Sequence, residues 1–300
     1  MTQLNPPTPP LISTVGATHF ASHLHDVCGL ADQTTGIYLR DAELFLQSLR
    51  EILGRDPSAS DLTISSVRGF IDRSRGSGAA PPTLARRLVA IRTLLKYAAA
   101  VNLIAADPTK ASDFPFVTVT PKALGYLSSA VIDRLLSIPY SRSFQGTRDR
   151  TVLEILCSSG IMTSEAIGLN IQDIDCGKAC IRTGVPTRAI PISSRALQAV
   201  RDYLPQRATL VEATNDQSAF FLNRFKQRLG PRSLRKIVAG ASRRAGITGE
   251  VSPTVLRHSH AISLLNAGTP VTVVQERLGM RHRGSMDRIC RAATAVLPLS

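Results

Sequence analysis

Two adjacent side chains, Arg257 and His258, stand in Ser-Pro-Thr-Val-Leu-Arg-His-Ser-His (252–260), at the start of a stretch with helical apolar spacing. Arginine presents a planar, permanently charged fork that grips a phosphate through two oxygens. Histidine changes charge near neutral pH and can pass a proton to or from an oxygen. Side by side, they fit chemistry on a phosphate ester, or simple binding to one. Chemistry needs more: a nucleophile, a second cation for the charge that grows on the non-bridging oxygens, and a proton donor for the leaving oxygen.

The bulk of the chain favours such a partner. Lys and Arg number 36 against 22 Asp and Glu, a formal charge of +14. A balance this basic points to a polyanion, with nucleic acid first; a solubilising surface is the plainer alternative. The cysteines Cys28, Cys157, Cys176, Cys180 and Cys290 are scattered, and the one close pair, Cys176 and Cys180, lacks neighbours that would complete a zinc site. They read as thiols of a reducing compartment, and neither metal nor cofactor is expected. The opening MTQLNPPTPPLIS has no basic region or sustained apolar core, and no apolar run approaches the roughly 20 residues of a membrane span. A cytoplasmic protein without membrane contact is expected.

The elements that must position Arg257 and His258 follow from patterning. Residues 1–14, rich in Pro and Thr, read as a loose tail. Residues 15–107 read as a helical domain. Ile37, Leu39, Leu44, Phe45, Leu49 and Ile52 form one stripe, and Val67, Phe70 and Ile71 another, behind Asp61 or Thr63 as N-cap. Leu84, Leu88, Ile91 and Leu95 form a third after Pro81-Pro82. That third helix carries Arg86, Arg87, Arg92 and Lys96 without an acid among them. Such a face suits a phosphate backbone better than a solvated surface, which usually mixes signs. Residues 108–127, with Pro108, Pro115 and Pro121, read as a linker ending at an N-cap, Ser128 or Ser129. A second domain, 128–300, holds helices and one β region, IDCGKACIRTGVPTRAIPIS, with turns at Gly177 and Gly184.

With both domains in place, the chain resembles the tyrosine recombinases of the phage-integrase type (XerC/XerD-like). GIMTSEAIGLNIQDID sits where that family has G-L-R-x-S-E followed by D-h-D, and SPTVLRHSHAISLLNAG sits where it has S-P-H-x-L-R-H. TTGIYLRDAELFLQSL and PTLARRLVAIRTLLKYAAAVNLIAADPT follow the order of its core-binding domain. The resemblance implies a mainly α protein: an N-terminal helical core-binding (SAM-like) domain, then an α+β catalytic-type domain with a small antiparallel sheet. It implies double-stranded DNA as substrate, a tyrosine that attacks a phosphodiester, two clamping arginines, a hairpin lysine, and assembly into homo- or hetero-oligomers.

Matched residue by residue, the catalytic set is broken. Met162 stands for the first arginine, Thr254 for the first histidine and Met280 for the histidine after Leu-Gly. The hairpin lysine falls in a region filled by Arg182, Thr183 and Gly184, while Lys178 lies on the wrong side of the strand. The tyrosine position falls on Ile289 or, with one inserted residue, Cys290, and RHRGSMDRICRAATAVLPLS holds no tyrosine. Arg257 and His258 remain. From about residue 280 the resemblance ends, with no clean amphipathic helix, as a change of reading frame near Gly279 would leave it. For Arg257 two roles stand open: phosphate contact, or a salt bridge to Glu165 that holds the domain together.

Three functions are compatible with these residues. The first is a DNA-binding member of a mobile element that no longer cuts. The second is an active recombinase using Cys290 with Arg281 or Arg283. The third is a non-functional remnant.

Overall fold

The computed structural model describes residues 14–30, 32–120, 123–210, 217–280 and 283–294, without the side chains of residues 14–17, 33 and 283. The expected tail, apart from Thr14, lies outside the described residues. Two compact units divide the chain, Met1–Pro121 and Lys122–Ser300.

Among the described residues the first unit holds four α-helices: α1 (Thr14–Ser22), α2 (Asp32–Leu53), α3 (Ile64–Gly76) and α4 (Pro81–Ala100). Helices α2, α3 and α4 each bury one stripe, as period-3.6 patterning requires, and α1 adds Phe20. Ala42, Phe45, Leu46 and Leu49 of α2 meet Val67, Phe70 and Ile71 of α3 and Leu88, Ile91 and Leu95 of α4. The rings of Phe45 and Phe70 pack edge-on with centroids 5.5 Å apart. Thr63 is the N-cap of α3, its Oγ1 accepting from Ser66 N–H at 3.1 Å. Pro81 and Pro82 open α4, where no intrahelical N–H bond is lost. The stretch read as linker is partly folded onto this core: Asp107 caps a short 3₁₀ turn at Pro108–Lys110, and Phe114 is buried.

The second unit contains α5 (Ser129–Leu136), α6 (Phe144–Ser159), α7 (Thr163–Gly168), α8 (Ser194–Ala208), α9 (Pro231–Arg244), α10 (Pro253–Asn266), α11 (Val271–Leu278) and α12 (Arg283–Thr294). Between α7 and α8 run β1 (Ile174–Asp175), β2 (Cys180–Thr183) and β3 (Arg188–Pro191), an antiparallel sheet in the order β1-β2-β3. Register places Ile181 opposite Ile190 and Thr183 opposite Arg188. Ser128 caps α5.

Helix α6 is the hub of this unit. Residues Thr151–Leu156 are buried on every side, which explains why its sequence shows no clear polar face. It stops at Gly160, whose φ of 62° is left-handed. A Cβ there would lie 2.7 Å from His260 Cδ2 and from Leu278 Cδ2, so this close approach of α10 and α11 needs glycine. Tyr203 of α8 is fully buried. Its hydroxyl donates to Phe220 O at 3.1 Å, and burial pushes its pKa up to about 12.

The C-terminal segment corrects an expectation. Residues Arg283–Thr294 form an amphipathic helix, with Met286 and Ile289 buried against Ala261, Ile262, Val274 and Leu278. Its stripe continues through Cys290 and Ala293. Cys290 and Ala293 carry half of that stripe beside Met286 and Ile289, with Arg288 and Arg291 on the other side of the helix.

Candidate functional site: an arginine-lined cleft

A cavity of about 1300 Å³ opens in the second unit where the ends of several elements meet. Met162 and Glu165 come from the start of α7, Thr183 to Arg188 from the β2–β3 turn, and Thr254, Arg257 and His258 from the first turns of α10. Gly279 and Met280 follow α11, and Arg288 and Ile289 lie on α12.

Glu165 organises one wall. Its Oε2 accepts from Met162 N–H at 2.7 Å, capping α7, and its Oε1 accepts from Arg188 Nη2 at 2.6 Å. Both side chains are largely buried, Glu165 at 6% and Arg188 at 16% exposure. Arg188 also donates through Nε to Arg277 O at 2.8 Å. Arg257 Nη1 reaches Gly160 O at 2.7 Å and its Nη2 reaches Leu278 O at 2.6 Å, while Nη1 stands 4.0 Å from Glu165 Oε2. Of the two roles open for Arg257, the Glu165 salt bridge is present only as a long one, and main-chain carbonyls are the principal partners of the guanidinium. Burial pushes the Arg257 pKa down, partly offset by Glu165. Two guanidiniums against one carboxylate leave this wall with a net positive charge, suited to an anion.

His258 makes a 3.3 Å contact from Nδ1 to Gly125 O. A carbonyl only accepts, so Nδ1 carries the hydrogen and Nε2 is the basic nitrogen. Burial, together with Arg257 and Arg288, holds its pKa below the ordinary histidine value. The neighbouring His260 lies against Gly160, and burial pushes it down to about 4.

The substituted positions converge on the same space. Met162, 41% exposed, and Thr254 and Met280 line the cavity beside Arg257. Ile289 also lines it, although only 1% exposed, whereas Cys290 packs against the apolar cluster between α10 and α12. Arg281 and the side chain of Arg283 lie outside the described residues. Lys178 sits in the β1–β2 turn, its N–H donating to Asp175 Oδ1 at 2.9 Å, at the other end of β2 from Thr183. Among the described residues no three His, Cys, Asp or Glu side chains gather as a metal site.

In the first unit, three of the four basic residues of α4 have partners on other elements. Arg86 and Arg87 flank the buried carboxylate of Asp41 on α2, Arg87 at 4.0 Å, and Arg87 also donates to Ser74 Oγ at 3.0 Å. The Arg92 guanidinium lies 4.8 Å from the centre of the Phe114 ring. Lys96 is exposed.

Two features escaped the sequence reading. Arg188 was seen only as part of a strand, although its place at the edge of a turn aims it into the cleft. The second is countable: residues 217–249 contain no Asp or Glu but eight cations, Arg224, Lys226, Arg228, Arg232, Arg235, Lys236, Arg243 and Arg244. On α9, Leu234, Val238 and Ala241 face the core, leaving Arg232, Arg235, Lys236 and Arg243 exposed on the outer side.

A helical N-terminal unit, followed by helices around a small antiparallel sheet and a cleft with Arg257 at the head of α10, defines the tyrosine-recombinase fold. Residues 126–291 match the phage integrase family, and residues 17–102 match the phage integrase N-terminal SAM-like domain. The chain belongs to the phage integrase family. It is 32% identical to tyrosine recombinase XerC of Myxococcus xanthus over 276 residues, 90% of each chain. It is 33% identical to tyrosine recombinase XerD of Mycobacterium tuberculosis over 277 residues, 87% of each chain. In fold it is similar to the XerH site-specific recombinase bound to palindromic difH substrate, with a TM-score of 0.67 at 21% identity, covering 90% of this chain and 81% of that one. The family match continues to residue 291, well past Gly279, through most of α12.

Proposed function

We propose that this protein is a DNA-binding member of the tyrosine recombinases that no longer cleaves DNA. One observation carries the reading: around Arg257, the cleft presents Met162, Met280 and Ile289, apolar side chains that can neither clamp a phosphate bidentately nor attack it, and Thr254, which offers a hydrogen bond but no titrating base. Loss of a single electrostatic donor in such a site costs roughly a hundred- to thousandfold in rate, and loss of the nucleophile removes the covalent route altogether. Binding needs none of these groups. The acid-free basic segment 217–249 and the outer face of α9 supply the phosphate contacts, with Arg257 and Arg188 as a second positive centre. Lys96 and the arginines of α4 add to them, weakened where Asp41 already neutralises Arg86.

An intact fold with the chemistry removed suits a protein of mobile-element origin that occupies recombination sites, alone or beside an active relative. The test is selection of duplexes from a random library, then gel-shift binding across a salt series with SDS-resistant complexes scored on nicked substrates. Site-preferring, salt-sensitive binding without covalent adducts is expected. A covalent adduct would identify an active recombinase, and failure to recover any duplex would identify a remnant.

A further inference from the structure

The turn that leads into α9 holds an aromatic side chain that the fold leaves largely in water. Phe225 is 65% exposed, in the sequence Asn223-Arg224-Phe225-Lys226-Gln227. The turn around it is tightly built. Asn223 Oδ1 accepts from the N–H groups of Phe225 at 2.8 Å and Gln227 at 3.1 Å, and Asn223 N–H donates to Gln227 O at 2.7 Å. Lys226 takes the left-handed φ of 62°, a strained choice for a lysine, and Leu222 bridges Arg228 below the turn. The Arg224 guanidinium lies over the Phe225 ring, 4.6 Å from its centre.

This arrangement holds a largely exposed ring outward with the Arg224 guanidinium stacked on it, between two cations in the sequence. The part of the ring that Arg224 does not cover gains nothing from burial, since its apolar surface stays in water. The charge around it selects the partner: Arg224 and Lys226 flank the ring, no acid lies between residues 217 and 249, and the turn runs directly into the basic face of α9. An acidic surface alone would be met by the cations and would leave the ring unused. A nucleic acid offers both chemistries within a few ångströms, phosphates for the cations and a base face for the ring. We propose that Phe225 is a wedge that packs against a base of the bound DNA, at a step the protein opens or kinks, while Arg224 and Lys226 hold the adjacent phosphates. The inference rests on the DNA-binding reading above and adds a contact that phosphate neutralisation alone does not contain.

The chain has no tryptophan, so Phe225→Trp creates a single fluorescent reporter at the tip of the turn. The measurement titrates F225W with a duplex selected by the wild-type protein, following fluorescence anisotropy of the labelled DNA and tryptophan emission together. Emission is expected to fall by about half or more on the same curve as the anisotropy, because an indole stacked on a base is quenched. In parallel, Phe225→Ala is expected to bind about tenfold more weakly with an unchanged salt slope, since no cation is removed. Binding with unaltered tryptophan emission, or an Ala variant of full affinity, overturns the wedge and leaves the DNA-binding reading standing. Failure of the wild-type protein to select or bind any duplex overturns both.

Discussion

Arg188 Nη2 lies 2.6 Å from Glu165 Oε1, and this contact ties the β2–β3 hairpin to the first turn of α7. Arg257 approaches the same carboxylate at 4.0 Å, so one buried Glu165 serves two guanidiniums. Removing it is far worse than removing either arginine. Glu165→Gln keeps an acceptor for Met162 N–H but leaves two buried cations facing a neutral amide. The expected loss is about 3–5 kcal/mol, the usual cost of breaking a buried pair, read from the urea midpoint at constant m-value. A loss below about 1 kcal/mol would mean that main-chain carbonyls alone neutralise the pair.

Gly279 encloses Arg188 from the other side. Its φ is 63°, and a Cβ there would stand 2.8 Å from both Cζ and Nη1 of Arg188. Gly279→Ala is expected to cost about 1–2 kcal/mol from left-handed strain, plus the displacement of Arg188. The two contributions separate in a double-mutant cycle with Arg188→Ala, where coupling of about 0.5–3 kcal/mol is expected. Strict additivity in thermal or urea unfolding would show that the guanidinium moves aside freely.

Much of this architecture was legible from residue order, because long helices with strong stripes announce themselves. Thr63, Ser128 and Pro81 mark helix starts where local hydrogen bonding dictates them. The family blocks located Arg257, His258 and the positions of Met162, Thr254, Met280 and Ile289, and the fold brings all six to one cleft. What stayed hidden depends on contacts between distant elements. Asp41 and Arg86 are 45 positions apart, so the α4 face looked free of acid until α2 packed beside it. Arg188 gave no signal of its own as a single strand residue. Helix α12 is short, and its stripe of Met286, Ile289, Cys290 and Ala293 finds its partners on α10 and α11, which residue order alone does not place beside it.

His260 makes stability depend on pH. Burial pushes its pKa from an ordinary 6.5 down to about 4, so the folded protein keeps the ring neutral while the unfolded chain protonates it. Between those values the unfolded state binds more protons, and stability therefore falls as pH drops from 6.5 toward 4 and is fully present above 6.5. The whole shift corresponds to roughly 3 kcal/mol. Urea unfolding at pH 7.5 and pH 5 is expected to show part of this loss. In His260→Phe the loss over that interval should be visibly smaller, even if the variant is less stable at both values. An identical pH slope in the two proteins would assign the effect to other groups, His258 first.

Met162 offers a way to separate binding from chemistry. Its side chain is 41% exposed on the cleft wall, and Glu165 is held by its backbone N–H, so Met162→Arg leaves the α7 cap in place. The new guanidinium stands beside Arg257 where a phosphate would sit. Each added phosphate contact steepens the dependence of log K on log salt by about 0.9, and tighter binding with that change of slope is expected in gel shifts at several salt concentrations. No SDS-resistant adduct should accompany it, because Ile289 still offers no hydroxyl and Thr254 and Met280 still offer no proton-transferring ring. A covalent adduct in Met162→Arg would show that a nucleophile is already present in the cleft. Unchanged affinity and slope would instead show that DNA does not reach this wall.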